Sequence, residues 1–218
     1  MPMKNNVFPL KEINAIAFDF DGVIADSEPL HLEAWNRAMS ACGIERTITM
    51  EEMVGKPVET FARSFGDAQR AQEVAEAKRA AAYALAQEKS IPLYPAALSV
   101  IKNMAARYKL AVVSSGEARL VRMTLTHYEL DQYFCCTVLE DDYQFGKPDP
   151  EPYQICARNL GVQPSAVVAI EDSVAGVASA KDAGLQVVGV TTTTQRARLS
   201  RADRIIDTLA QFPTLLDC

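Results

Sequence analysis

Short apolar runs, each four to six residues long and each separated from the next by a helical pattern, recur along this chain. The clearest runs cover residues 13–18, 110–113, 166–170 and 186–190, with a weaker one at 204–206. Their apolarity is continuous rather than alternating, which is typical of strands buried on both faces of a sheet. Helical patterns cover residues 96–107, 117–128, 150–160 and 173–183. This alternation predicts a parallel sheet covered by helices on both sides, with a functional site beyond the carboxyl ends of the strands.

The stretch between the first two runs breaks this alternation. Residues 27–91 look helical throughout, and the part from 68 to 89 is rich in Ala, Glu and Lys with almost no β-branched residue. Such a length is unusual for a loop, and two prolines within residues 91–95 mark the return to the sheet. The sequence therefore predicts an α/β fold with a Rossmann-like parallel sheet core, residues 1–26 and 92–218, and an inserted all-helical domain.

The charge balance and the cysteine pattern exclude several classes of function. Lys and Arg total 22 against 28 Asp and Glu, a net charge of −6, and no basic run is present to bind nucleic acid. No apolar stretch approaches the roughly 18 residues of a membrane span, and the first residues lack the apolar core of a signal peptide. Five cysteines without a CxxC spacing indicate neither a disulfide framework nor a zinc site. We therefore expect a cytoplasmic monomer with no nucleic-acid or membrane partner.

Two acidic pairs follow two of the predicted strands. Asp19 and Asp21 are two positions apart, so their side chains project to the same side of an extended chain. Glu171 and Asp172 follow the third run, and in a parallel sheet both pairs emerge at the same edge. Four carboxylates there would repel one another without a cation, and oxygen ligands of this kind suit Mg²⁺. The alternative interpretations are an exposed strand-end pair for the first and a helix cap for the second.

A serine-rich turn and a lysine are placed where they would contact an anion. Ser114, Ser115 and Gly116 follow the run at 110–113, and hydroxyl and backbone N–H groups at such a junction fit a phosphate. Lys147 precedes a proline just before a helical pattern, where it would offset the carboxylates and hold a phosphate as a point charge. Taken singly, the first segment is also compatible with a simple turn and the lysine with a solvated side chain.

The joint arrangement of these residues resembles the haloacid dehalogenase superfamily of aspartyl-phosphate hydrolases. Asp19-x-Asp21-Gly22, Ser114, Lys147 and Glu171-Asp172 fall in the order of the four motifs of that superfamily, across nearly the whole chain. The helical insertion resembles the cap of the β-phosphoglucomutase-like subgroup. The stretches at 26–31 and 146–150 are similar to characteristic segments of that subgroup.

The resemblance implies a role for each matched residue. Asp19 is implied as the nucleophile that becomes phosphorylated, and Asp21 as the acid/base. Ser114 and Lys147 are implied to hold the phosphoryl oxygens, beside Ser115 and Gly116 as substrate-binding residues. The implied Mg²⁺ ligands are the carboxylate of Asp19, the backbone carbonyl of Asp21 and the side chain of Asp172, with Glu171 either ligating or nearby.

Substrate choice is expected to reside in the cap, residues 27–91. Lys56 lies in a segment that resembles the substrate-reading loop of the subgroup, and Lys78 or Arg79 would lie on the long cap helix. His31 matches a histidine that couples cap closure to the acid/base in the mutases, although a helix-surface histidine is an equal alternative. Trp35 and Met39, at helical spacing with Leu32, are predicted to form the cap core. Cys135-Cys136 is predicted to begin a further strand and is assigned no chemistry, and residues 191–194 are interpreted as a polar loop.

These features predict a Mg²⁺-dependent phosphatase acting on a small phosphorylated metabolite, such as a sugar or polyol phosphate. The runner-up is a sugar phosphomutase of the β-phosphoglucomutase type. Mutases of the subgroup typically carry Arg where this chain has Val58, and this difference disfavours that alternative. A third possibility is a regulatory protein without catalytic activity on the same fold, which the presence of all the motif residues disfavours.

Overall fold

A six-stranded parallel sheet forms the centre of the protein. The computed structural model describes residues 12–53 and 57–216. The strands are β1 (Ala15–Phe18), β2 (Lys109–Val113), β3 (Cys136–Val138), β4 (Val167–Glu171), β5 (Gln186–Val190) and β6 (Arg204–Ile206). Their spatial order is β3-β2-β1-β4-β5-β6, and all five pairings are parallel. This order confirms the Rossmann-like core, and it reverses direction between β1 and β4, where ligands bind in such sheets.

The first strand is central and buried on both faces, as its continuous apolarity predicts. Ile16 and Phe18 belong to the hydrophobic cluster on one side of the sheet, whereas Ala15 and Ala17 belong to the cluster on the other side. All four residues are fully buried. Because side chains alternate along a strand, each face of β1 supports a different layer of helices.

Helices cover both faces of the sheet. The core helices are α5 (Ala97–Ala105), α6 (Ala118–His127), α7 (Glu151–Leu160) and α8 (Val174–Asp182). Buried residues of α5 and α6 pack in the cluster with Phe18, and buried residues of α7 and α8 pack in the other cluster. The observed helices begin and end within about two residues of the predicted ones. The described cysteines, Cys42, Cys135, Cys136 and Cys156, are free thiols.

The insertion between β1 and β2 is helical, as predicted. It contains α1 (Glu28–Ala41), α2 (Met50–Met53), α3 (Val58–Ala62) and the long α4 (Ala68–Glu88). Trp35 and Met39 of α1 pack with Phe61 of α3 and Val74 of α4 in a cluster separate from those of the sheet. The Trp35 and Phe61 rings meet edge to face with centroids 4.9 Å apart. The prediction that Trp35 and Met39 form a hydrophobic core is confirmed.

The two chain segments that connect the insertion to the sheet lie side by side. The Asp26 N–H donates to the Pro92 carbonyl, and the Tyr94 N–H donates to the Ile24 carbonyl, each at 2.9 Å. The predicted domain boundaries, after residues 26 and 91, lie in this short ribbon. These two hydrogen bonds join the segments beside the carboxyl end of β1, and part of the insertion also packs on the sheet domain, since Leu30 of α1 and Leu85 of α4 belong to the hydrophobic cluster that contains Phe18. None of the described helices is both long and apolar enough to cross a membrane.

Candidate active site

Three carboxylates converge at the carboxyl edge of the sheet, where the strand order reverses. Asp19 directly follows β1, Glu171 is the last residue of β4, and Asp172 comes next. One carboxylate oxygen from each lies within 4.8 Å of the others, and all three residues are buried. Glu171 is fully shielded from solvent, and Asp19 and Asp172 are only 7% and 4% exposed. The parallel pairing of β1 with β4 therefore brings Asp19 to the Glu171-Asp172 pair, which lies about 150 residues away in sequence.

Lys147 is the cation that joins this acidic cluster. Its Nζ donates to Asp19 Oδ1 at 3.0 Å, to Glu171 Oε1 at 2.6 Å and to the Val113 carbonyl at 2.8 Å. Asp19 Oδ1 also accepts the Phe20 N–H at 2.8 Å, so the orientation of this carboxylate is held by two donors. The lysine is buried and fully hydrogen-bonded rather than solvated.

The electrostatics of the cluster favour a bound divalent cation. Burial raises the pKa of Asp19 well above its usual value, and the neighbouring Glu171 raises it further. Burial and Glu171 likewise raise the pKa of Asp172 to about 7. Burial opposes the charge of Lys147, but Asp19 and Glu171 outweigh it and raise the pKa of the ammonium above its usual value. One ammonium does not balance three buried carboxylates, and an oxygen-only donor set of this size fits a hard metal ion.

Asp21 lies in a different environment from Asp19. Its Oδ1 accepts a short hydrogen bond from the Ser27 hydroxyl, at the start of the insertion. Burial raises the pKa of Asp21, and the Ser27 hydrogen bond partly offsets that effect. The Asp21 carboxylate is not among the three clustered carboxylates, so the two aspartates of the motif are expected to have different roles. The predicted metal ligand at Asp21 is its backbone carbonyl, and that assignment stays a prediction.

The serine-rich turn after β2 lies beside Asp21. Ser114 is buried, and its Oγ accepts the Gly116 N–H at 2.9 Å, whereas Ser115 is exposed. A Cβ on Gly116 would collide with the Asp21 carboxylate. The turn thus requires glycine at this position, and it brings hydroxyl and N–H groups close to the acidic residues.

Two further glycines allow the carboxylates to pack against the backbone. A side chain at Gly22, which has a φ of 81°, would collide with the Asp172 carboxylate. A side chain at Gly176, in the first turn of α8, would collide with the carboxylate of Glu171. The sequence motif includes Gly22 but gives no sign of Gly176, because the close approach of the first turn of α8 to the Glu171 carboxylate is visible only in the structure.

Hydroxyl groups that sequence reasoning missed also contact the cluster. Residues 191–194, which were interpreted only as a polar loop, lie close to two of the motif segments. The Thr193 hydroxyl donates a short hydrogen bond to Asp172, and the Thr192 hydroxyl donates one to the Gly22 carbonyl. The fully buried Tyr153 of α7 donates its hydroxyl to Glu171 Oε1 at 2.6 Å. No local sequence pattern marks these residues, since each lies far along the chain from its partner.

The Tyr153 hydroxyl is expected to orient Glu171 and thereby support a metal site. Tyr153→Phe removes one buried hydrogen bond to a charged acceptor, and we expect the free energy of unfolding to fall by about 1.5–3 kcal/mol. Loss of a hydrogen bond that orients a metal-binding carboxylate is also expected to weaken cation affinity roughly tenfold. Denaturant unfolding and a cation titration of activity measure the two effects. Tyr108→Phe, at the opposite end of the sheet, is the matched control, and equal changes in both variants would contradict this role.

The insertion residues predicted to contact substrate have different surroundings. His31 Nδ1 is buried and lacks a hydrogen-bond partner among the described residues. Burial, with a contribution from Lys78, lowers the pKa of His31 to about 3, so its imidazole is neutral at neutral pH. Arg79 is partly exposed and forms an ion pair with Glu59. Lys56 lies outside the described residues.

Lys78 is the cation of the long α4 helix that reaches the sheet domain. Its Nζ lies 2.6 Å from Oε1 of Glu117, the residue that follows Gly116. The sequence left Lys78 and Arg79 as alternatives on this helix, and the two side chains have different partners in the fold.

The comparison with protein families identifies the family of this chain. The family of haloacid dehalogenase-like hydrolases matches residues 16–190, which include all four motif segments. The chain belongs to this family. Its members typically use a metal ion, which agrees with the acidic cluster of Asp19, Glu171 and Asp172.

Characterised relatives in this haloacid dehalogenase-like family are phosphatases. The chain is 30% identical over 180 residues to the fructose-1-phosphate phosphatase YqaB of Escherichia coli, covering 80% of this chain and 95% of the relative. It is 34% identical over 183 residues to a phosphorylated carbohydrates phosphatase of Thermotoga maritima, covering 80% and 83% of the two chains.

Solved structures of the family share the fold. CbbY from Rhodobacter sphaeroides, crystallised with phosphate, superposes with a TM-score of 0.83 at 27% identity, covering 94% of this chain and all of that chain. A CbbY mutant crystallised with xylulose-(1,5)bisphosphate gives a TM-score of 0.81 at 26% identity, covering 91% and 96% of the two chains. The fold and family predicted from the sequence motifs are confirmed.

Proposed function

We propose that this protein is a Mg²⁺-dependent phosphatase that hydrolyses a small sugar or polyol phosphate through an aspartyl phosphate on Asp19. The observation that carries this proposal is the pair of aspartates two residues apart in unlike environments. Asp19 is held by Lys147 within the acidic cluster, whereas Asp21 is held by Ser27 outside it. The names of the relatives support the substrate class, since they act on phosphorylated carbohydrates.

Asp19 is assigned as the nucleophile. Its carboxylate attacks phosphorus, so a bond forms between carboxylate oxygen and phosphorus while the bond from phosphorus to the substrate oxygen breaks. Lys147 and the Phe20 N–H both bind Oδ1 and hold the carboxylate in one orientation during this step. The positive charge of Lys147 also favours the ionised form of Asp19, against the effect of burial.

Asp21 is assigned as the acid/base. Its raised pKa increases the protonated fraction near neutral pH, and a protonated carboxyl gives its proton to the departing substrate oxygen. The resulting carboxylate then takes a proton from the water that attacks the aspartyl phosphate. Hydrolysis restores Asp19 and releases inorganic phosphate, so protons and oxygens balance over the two steps.

The remaining core residues are assigned to the phosphoryl group and the metal. Ser114, with the N–H groups of Ser115 and Gly116, binds phosphoryl oxygens beside Lys147. Asp19, Glu171, Asp172 and the backbone carbonyl of Asp21 hold Mg²⁺. When bound, the cation supplies positive charge that offsets both the carboxylates and the phosphoryl oxygens. Placement and charge, rather than further covalent chemistry, are what phosphoryl transfer demands.

The helical insertion, residues 27–91, is assigned as a cap that closes over the substrate. Its two connecting segments lie side by side, and the cluster of Trp35, Met39 and Phe61 holds its helices together, and both features support movement as one unit. His31, Lys56 and Arg79 are retained as substrate-contacting residues of this cap. We further propose that the protein acts as a cytoplasmic monomer, with no nucleic-acid or membrane partner.

Cap variants are expected to change substrate preference rather than the chemical step. Lys56→Ala and Arg79→Ala should alter the ranking of metabolites several-fold, while hydrolysis of a generic aryl phosphate stays within about twofold of wild type. Steady-state kinetics on both kinds of substrate measure the effect. Arg37→Ala, which breaks an exposed cap ion pair with Glu33, is the control. Equal losses on every substrate in the two test variants would assign these residues to folding or to chemistry.

The decisive experiment is a phosphate-release screen of the purified chain with Mg²⁺. The panel includes hexose and hexitol monophosphates, phosphoglycolate, a nucleoside monophosphate and a generic aryl phosphate. We expect the highest kcat/KM on a hexose or hexitol phosphate. Rapid interconversion of β-glucose 1-phosphate and glucose 6-phosphate with negligible phosphate release would instead favour a mutase. Absence of turnover on the whole panel would contradict the proposed function.

A further inference from the structure

A buried ion pair joins the long cap helix to the loop that follows the phosphate-binding turn. Lys78 of α4 and Glu117, immediately before α6, have side chains that are 3% and 14% exposed, and their Nζ and Oε1 atoms are 2.6 Å apart. A second contact from α4 lies nearby, since the guanidinium of Arg119, in α6, stands 3.3 Å from the centroid of the Tyr83 ring in α4. The ion pair and this cation–π contact mark the face of α4 that lies against α6 and the loop before it.

The ion pair lies beside the proposed acid/base. Glu117 directly follows Gly116, whose backbone lies so close to Asp21 that a Cβ there would collide with the Asp21 carboxylate. Asp21 gives its proton to the substrate oxygen that leaves phosphorus, and the organic part of the substrate is attached to that oxygen. Groups next to Asp21 on the cap side therefore face the organic part rather than the phosphate.

The positive charges of α4 on this side of Asp21 are balanced by acidic partners. Lys78 is neutralised by Glu117, and Arg79, the next cation on α4, is paired with Glu59. Glu140 adds a further negative charge near Glu117, and its Oε1 accepts the Ala118 N–H at 3.1 Å. Within the described residues, these cap cations offer no uncompensated charge for a second anionic group of the substrate. An ammonium beside a carboxylate does offer both donors and acceptors to uncharged hydroxyl groups.

We infer that the Lys78–Glu117 pair is a specificity element that favours monophosphates with an uncharged, hydroxyl-bearing remainder and disfavours substrates with a second phosphate or a carboxylate. This inference rests on the proposed function and narrows its substrate class. Hydroxyl groups of the organic part bind the pair, whereas a second phosphate meets the Glu117 carboxylate and a lysine whose charge is already balanced. The CbbY mutant crystallised with xylulose-(1,5)bisphosphate shows that the same fold accommodates a bisphosphate, so the discrimination must come from side chains.

The test compares fructose 1-phosphate with fructose 1,6-bisphosphate, which share a skeleton and differ by one phosphate. We expect wild-type kcat/KM to be at least about tenfold higher for the monophosphate. Glu117→Gln leaves Lys78 uncompensated and should shift the ratio toward the bisphosphate by roughly 10- to 100-fold, as expected for one unit charge several ångströms away. Xylulose 1,5-bisphosphate serves as a second doubly charged substrate, on which the same variant should gain.

Matched controls separate this effect from loss of fold and from failure of the proposed function. Glu33→Gln removes an equivalent carboxylate from exposed cap ion pairs with Arg37 and Lys89, and should leave the ratio within about twofold. An unchanged ratio in Glu117→Gln, or a wild type that prefers the bisphosphate, overturns the inference while hydrolysis itself stands. The wild-type preference needs no variant, so it tests the inference even if Glu117→Gln unfolds. Absence of phosphate release from every substrate, including an aryl phosphate, overturns the proposed function instead.

Discussion

Asp19→Asn is expected to reduce phosphate release by at least roughly 10⁴-fold, the scale on which removing a nucleophile acts. An uncharged amide does not form an acyl phosphate, so the first step is lost. The fold should persist, because the amide oxygen of asparagine still accepts the hydrogen bonds that Lys147 and the Phe20 N–H make to Oδ1. The variant also removes one charge from a buried acidic cluster, so its thermal stability without metal should not fall.

The measurement combines steady-state phosphate release with detection of the aspartyl phosphate. Wild-type protein given a phosphodonor should carry acid-stable, hydroxylamine-sensitive phosphate, and Asp19→Asn should carry none. Asp21→Asn is the companion variant, since it retains the nucleophile and should slow turnover by about 10²–10⁴-fold. Asp131→Asn, in an exposed turn, controls for the substitution itself. Residual turnover above a few per cent in Asp19→Asn would remove Asp19 as the nucleophile.

Removal of divalent cations is expected to abolish activity, and added Mg²⁺ is expected to restore it. Without a cation, Asp19 and Asp172 both have raised pKa values because burial and Glu171 oppose their charge. Protons therefore compete with the metal at Asp172, whose pKa is about 7. We expect the Mg²⁺ concentration for half-maximal activity to rise as the pH is lowered from about 8 to about 6. Full turnover in the presence of a strong chelator would contradict the assignment.

The same cluster predicts how metal binding changes stability with pH. A carboxyl with a higher pKa in the folded state binds more protons when folded, so it stabilises the fold at low pH and loses that contribution as pH rises through the folded pKa. The metal-free cluster is therefore least favourable above about pH 7, where Asp172 ionises. Mg²⁺ should raise the melting temperature more at about pH 8 than at about pH 6. Comparing samples with and without Mg²⁺ at each pH cancels the contribution of His31, and an equal increase at both would argue against metal binding at Asp172.

The sequence was sufficient for the sheet and for the motif residues at its edge. Continuous apolar runs identify β1 and β4 because a strand buried on both faces needs apolar side chains at every position. Parallel pairing then puts Asp19 and Glu171 at one edge, since the carboxyl ends of such strands must meet there. To predict that Asp19 and Glu171 lie at the same edge, it was enough to recognise both strands as members of a parallel sheet.

Contacts between distant segments could not be read from the sequence. Tyr153 looks like one more apolar position of an amphipathic helix, yet its hydroxyl holds Glu171. Thr193 lies in an ordinary polar loop, yet its hydroxyl contacts Asp172. Gly176 is one small residue in a helix rich in small residues. That this position requires glycine is visible only in the structure, where a Cβ would collide with the Glu171 carboxylate. Each depends on which helix or loop packs over which strand end.

Lys78 and Arg79 show most directly which features the sequence determines and which depend on the tertiary structure. The sequence by itself determined a helix rich in Ala, Glu and Lys with two adjacent cations, because those residue types favour a helix wherever it packs. Adjacent residues point about 100° apart around a helix, so at most one of the two can face the sheet domain. The packing of α4 against α1 and α6 turns Lys78 inward to Glu117 and leaves Arg79 partly exposed beside Glu59. The orientation of α4 about its own axis is decided by contacts between segments far apart in sequence, and no local pattern of charge encodes it.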